Sequence, residues 1–124
     1  MVLYNVPVRT GMTIKPETYK ELAKNPLILA TKEASGDIAH IANVVQQFGD
    51  DLAVYSCCDD QIVPLLSLGG IGVISVLANL VPQAVHDICH LYFSCRVQDS
   101  RALQLQYLPL NNALFYYVNP VAVQ

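Results

Sequence analysis

Positive charge is scarce in this sequence: seven lysines and arginines stand against ten aspartates and glutamates in 124 residues, for a net charge of −3. The basic residues form no cluster, which excludes a nucleic-acid partner, because phosphate binding needs grouped Lys and Arg. Long apolar runs are missing too. The best candidate, Leu65 to Val81, is broken by Ser67, Gly69, Gly70, Gly72, Ser75 and Asn79, so no membrane span is expected. The start, "MVLYNVPVRT", lacks the basic lead and long apolar centre of a secretory signal, and the expected location is the cytoplasm. Cys57 and Cys58 are adjacent and Cys89 and Cys95 six apart, neither of them a zinc or redox spacing. All four read as reduced, mostly buried thiols.

Apolar residues, at 53% against 14% charged, are abundant enough to build the core of one domain over residues 1–124. Short β-branched and apolar runs recur every 20 to 25 residues, near 2–6, 27–32, 52–57 and 72–76. Helical patterns separate them: 16–24 with a first-turn proline, 37–48 with an aspartate cap, and 60–68. After the last strand come 82–94 and 100–117, the second of which should bend or divide at Pro109. Strand followed by helix, four times over, predicts a parallel α/β arrangement. An open doubly wound sheet and a stretch of a (β/α)8 barrel both fit. A full barrel needs about 250 residues, so this length suffices for four of eight units.

In either architecture chemistry belongs at the carboxyl ends of the strands. Tyr4, Asn5, Arg9, Lys32, Glu33, Ser56, Asp59 and Asp60 are expected there. Lys32, which closes the run "LILATK", is the foremost candidate. An amine desolvated at a strand end is available in its neutral form to attack a carbonyl carbon, whereas the alternative is a lysine whose head simply reaches water. Alternation along the strand turns Glu33 to the opposite face. Tyr4 offers a phenol for proton relay and Arg9 a fork for a carboxylate. Together the three point to carbonyl chemistry on a carboxylate-bearing substrate.

Two further motifs carry less. "HDICH" (86–90) sets two histidines one helical turn apart, but with aspartate for glutamate and no evident third ligand it is not expected to hold a metal. "GGIGVIS" (69–75) precedes a strand rather than following one, so its glycines are expected to make a helix-to-strand turn, not a phosphate loop.

"YNVPVRTG" (4–11), "KEASGD" (32–37), "LLSLGGIGVISVLAN" (65–79) and "LFYYVNPVAV" (114–123) resemble the second half of the dihydrodipicolinate synthase family of pyruvate-dependent class I aldolases. Arg9 favours that family over the related N-acetylneuraminate lyases. The resemblance implies four βα units of a (β/α)8 TIM barrel, a half barrel, followed by C-terminal helices. It implies condensation of pyruvate with aspartate semialdehyde through a Schiff base on Lys32, with Tyr4 relaying protons, Arg9 holding the semialdehyde carboxylate and the Ile74 carbonyl beside the nucleophile. No metal or cofactor is implied.

The sequence also departs from the family pattern. Cys57 stands where the family usually has glycine and should crowd the pocket floor. Tyr117, Ala122 and Gln124 replace an expected acidic residue, proline and lysine. The family's front half, with its paired threonines, has no counterpart here, so turnover by this chain alone is expected to be impaired. Four units also leave two edge strands, near Tyr4 and Ile74, and an inner sheet face uncovered. A homo-oligomer is the expected consequence, and an inactive, self-associating half barrel is the alternative to an enzyme.

Overall fold

The computed structural model describes residues 1–117. Four strands, β1 (Val2–Asn5), β2 (Ala30–Glu33), β3 (Ala53–Ser56) and β4 (Gly72–Val73), form one parallel sheet in the order β1-β2-β3-β4. Six helices accompany them: α1 (Pro7–Thr10), α2 (Pro16–Leu22), α3 (Ile38–Phe48), α4 (Ile62–Ser67), α5 (Pro82–Phe93) and α6 (Val97–Leu114). None of them is long and apolar enough to cross a membrane. Sequential order with parallel pairing is the layout of four consecutive units of a (β/α)8 barrel.

Local chemistry explains the boundaries. Proline opens α1, α2 and α5 at the first turn, where its missing N–H costs no hydrogen bond. Asp37 caps α3 by accepting from the His40 amide at 3.0 Å. Gly69 at φ 105° and Gly70, where a Cβ would lie 1.8 Å from Leu65 Cδ2, make the tight helix-to-strand turn the sequence implies. Residues 27–29 are not strand: Asn25 holds the turn through Leu27 N and Ile28 N, and Leu27 and Leu29 are exposed. The fourth strand is shorter than 72–76, because Asp59 Oδ2 takes the amides of Val76 and Leu77 at 3.0 and 2.9 Å and draws them into a 3-10 turn. The last helix runs through Pro109 without dividing. Ala122 and Gln124 lie outside the described residues.

Two apolar cores result. One lies between the sheet and α2 and α3, around Tyr19, Ile41, Val44, Leu52, Val54 and Leu65. The other joins α4, α5 and α6 around Ile62, Leu77, Val85, Ile88 and Leu114. The four cysteines are free, as expected, but Cys95 is exposed and only the other three are half-buried. Cys95 lies in the α5–α6 connection at φ 62°, and its amide donates to the Tyr92 carbonyl.

Candidate active site

Because the strands are parallel, their carboxyl ends share one rim. Tyr4 and Lys32 are register partners on β1 and β2, and Lys32 pairs in turn with Tyr55 on β3. Alternation sends these three to the face away from α2 and α3, while Asn5, Glu33 and Ser56 are buried on the helix side. The eight rim candidates therefore split. Tyr4, Arg9, Lys32, Asp59 and Asp60 line a cavity of about 770 Å³, whereas Asn5, Glu33 and Ser56 lie beneath it.

Lys32 is half-buried, and its Nζ lies 4.6 Å from the centroid of the Tyr4 ring. A cation over a ring face is held by the ring quadrupole. No described carboxylate forms an ion pair with Lys32. The Tyr4 hydroxyl reaches across β2 to Cys57 Sγ at 3.6 Å, and its pKa is pushed up to about 12, by burial first and then by that thiol. At neutral pH the phenol therefore holds its proton. Arg9, on the short helix after β1, adds a guanidinium to the same cavity. Ile74 follows β4 with its amide on the Ser56 carbonyl at 2.8 Å, and it is not among the lining residues.

Beneath the rim, Glu33 ties the elements together. Its carboxyl group, fully buried, accepts from Asn5 Nδ2 at 3.2 and 2.9 Å, from the Tyr19 hydroxyl and from Ser35 Oγ at 3.2 Å, with His40 Nε2 3.8 Å away. The Asn5 Oδ1 accepts from the Ile14 amide at 3.0 Å. This network locks β1 to β2 one residue beyond the Tyr4–Lys32 pair. Tyr19 and His40 carry no motif that marks them as part of it; only the alternation that buries Glu33 was readable in advance.

The opposite wall of the cavity comes from the end of α6, where Asn111, Asn112, Phe115, Tyr116 and Tyr117 face the rim. Sequence reasoning missed this wall, although the aromatic run "FYY" at a helix end was its available signal. The histidine pair of α5 lies elsewhere: His86 and His90 stack at 5.6 Å on the surface, and Asp87 accepts from Gln83 and pairs with His86. No three metal-ligating side chains cluster among the described residues.

Four parallel βα units, with a lysine, a phenol and a guanidinium gathered at the carboxyl rim, define half of a (β/α)8 barrel. The chain belongs to the dihydrodipicolinate synthetase family, whose sequence model matches residues 1–124. It is 52% identical over its whole length to 4-hydroxy-tetrahydrodipicolinate synthase of Clostridium perfringens (strain SM101 / Type A), covering 43% of that protein. Against the enzyme of the same name from Caldicellulosiruptor saccharolyticus the identity is also 52%, over 42% of the relative. Among solved structures, dihydrodipicolinate synthase from Thermotoga maritima superposes with a TM-score of 0.94 at 39% identity, over 98% of this chain and 43% of that one. A pyruvate complex of the enzyme from Acinetobacter baumannii gives 0.92 at 35% identity, over 98% and 42%. The chain thus spans less than half the length of the relatives it matches.

Proposed function

We propose that this chain supplies the imine-forming half of a 4-hydroxy-tetrahydrodipicolinate synthase, a lyase of lysine and diaminopimelate biosynthesis that condenses pyruvate with aspartate semialdehyde. The observation that carries this reading is the placement of Lys32 Nζ over the Tyr4 ring at the mouth of a cavity, with no described carboxylate as partner. The family match supports the substrates, and the Acinetobacter baumannii relative is a pyruvate complex.

Once Lys32 has given a proton to solvent, its neutral Nζ attacks the ketone carbon of pyruvate, and a proton passes through water from the attacking nitrogen to the carbonyl oxygen, which yields a carbinolamine. Tyr4 then donates its hydroxyl proton to the departing hydroxyl, water leaves, and the protonated imine remains. That imine withdraws electrons from the pyruvate methyl group, which gives a proton to water in the cavity and becomes the enamine carbon that attacks the aldehyde. Arg9 is assigned the semialdehyde carboxylate, since a guanidinium fork matches it in two hydrogen bonds. Ile74 is assigned, on the family resemblance, a carbonyl beside the nucleophile. The sequence of bonds made and broken calls for no redox partner.

The test is to incubate the chain with pyruvate, reduce with borohydride and measure the intact mass and the Lys32 peptide. A pyruvate-derived adduct on Lys32, absent from Lys32→Ala, is expected. No adduct on the unaltered chain refutes the reading. The edges of β1 and β4 and the exposed side chains of Val2, Ile71 and Ile74 favour a second one, a half barrel that associates with a copy of itself. Light scattering behind size exclusion tests it, and a clean monomer would remove it.

A further inference from the structure

Tyr4 lies lengthwise across the rim. It starts on β1, passes beneath the Lys32 ammonium of β2 and ends against Cys57, the residue that follows β3. Among the described residues its hydroxyl has one hydrogen-bond partner, the Cys57 thiol at 3.6 Å. Cys57 is held firmly. Its amide donates to the Glu33 carbonyl at 2.7 Å, and the next turn is closed by Ser56, whose Oγ donates to the Cys58 carbonyl and accepts from the Cys58 amide at 2.8 and 3.1 Å.

The geometry points to a proton-sharing pair of Tyr4 and Cys57, in which Cys57 is a positioning residue that orients the phenol and returns its proton. This rests on the imine reading of Lys32. When Tyr4 protonates the departing carbinolamine hydroxyl, a phenolate is left. The Cys57 S–H bond breaks, its proton passes to the phenolate oxygen, and the thiolate takes a proton from water in the open cavity. The balance is one solvent proton consumed and one water released. The contact permits transfer in this direction, because Sγ is the one described hydrogen-bond partner of the Tyr4 hydroxyl and either atom can donate. Cys58 does not share this part: burial first, then Cys57, pushes its thiol up to about 11. The other charged or titratable groups facing the pair are Arg9 from α1, Lys32 from β2, Asp59 and Asp60 from the turn after β3, and Tyr116 and Tyr117 beyond the end of α6.

Two measurements on the full chain test the pair. The first needs no substrate: the pH profile of Cys57 alkylation by iodoacetamide, read on its peptide, in the unaltered chain and in Tyr4→Phe. Loss of a hydroxyl that donates to the thiolate should move the profile to higher pH and slow alkylation at pH 8 about threefold or more, with the high-pH plateau unchanged. Exposed Cys95 is the internal control. An unmoved profile overturns the pair. The second is the pH dependence of borohydride trapping with pyruvate in Cys57→Ala and Cys57→Ser. Alanine should slow trapping several-fold and alter the pH profile, and serine should restore part of it; an alanine variant that traps like the unaltered chain overturns the relay. If the unaltered chain traps nothing, the imine reading fails and the alkylation profile decides the pair by itself.

Discussion

Replacing Glu33 with leucine removes the carboxyl group on which Asn5, Tyr19 and Ser35 converge, at a position 1% exposed. The magnitude follows from what each partner can do next. Ser35 is part-buried and can turn to water. Tyr19 keeps Thr31 Oγ1 at 3.1 Å. Asn5, also 1% exposed, keeps the Ile14 amide on its Oδ1, but its Nδ2 donor is left with only a long contact of 3.4 Å to His40 Nε2. A buried donor left unpaired costs ~1–3 kcal/mol. Asn5 in full and Tyr19 in part therefore come to ~2–4 kcal/mol, offset by little, since leucine adds no new contact beyond the space the glutamate filled. Glu33→Gln retains shape and one acceptor oxygen and should cost ~1–2 kcal/mol. With a urea slope of ~1–1.5 kcal/mol/M for a chain of this size, the leucine variant should unfold ~2 M earlier, at an unchanged slope. A leucine variant with an unmoved midpoint would refute the reasoning, for it would mean that Asn5 and Tyr19 find other partners and that the network does not hold β1 to β2.

Alkaline stability should depend on Tyr4. Below pH 10, the ordinary phenol value, folded and unfolded chains both keep its proton; from there to about 12 the unfolded chain sheds a proton that the folded chain retains, so stability falls with rising pH, and Tyr4→Phe should flatten that fall in urea midpoints read across the range. Burial and the Glu33 partner push Tyr19 up as well, so Tyr19→Phe should flatten the same limb. Gly70→Ala would bring a Cβ against Leu65 Cδ2 and its carbonyl oxygen, and should lower the urea midpoint by the equivalent of ~1–3 kcal/mol. Pro109→Ala restores a helical N–H within α6 and should raise the midpoint, by up to ~3 kcal/mol in stability. A lowered midpoint there would mean that the exposed ring is held by packing that outweighs the missing hydrogen bond.

Much of the site was legible beforehand because it follows from period and punctuation. Apolar runs at even spacing, first-turn prolines and the Asp37 cap placed three helices and four strands within a few residues. The same alternation put Lys32 and Glu33 on opposite faces, as the sheet has them. Boundaries were less legible where a distant side chain competes for a backbone amide. Asp59 holds the Val76 and Leu77 amides and so takes Val76 out of the fourth strand, and Asn25 keeps Leu27 and Ile28 out of the second. Neither competition shows in local propensity.

The amino-acid sequence by itself determined the repeating βα order, with an amine and a phenol at strand ends and a guanidinium just after one, since period and punctuation act over a few residues. Tertiary structure alone decided that Tyr4 crosses beneath Lys32 to meet Cys57, that Asn5, Tyr19 and Glu33 form one buried network, and that the end of α6 lines the far wall of the cavity. The hydrogen bonds among them join residues up to 53 positions apart. They exist only once the strands are in register, because register brings side chains from separate βα units within hydrogen-bonding distance, and no local pattern encodes that distance.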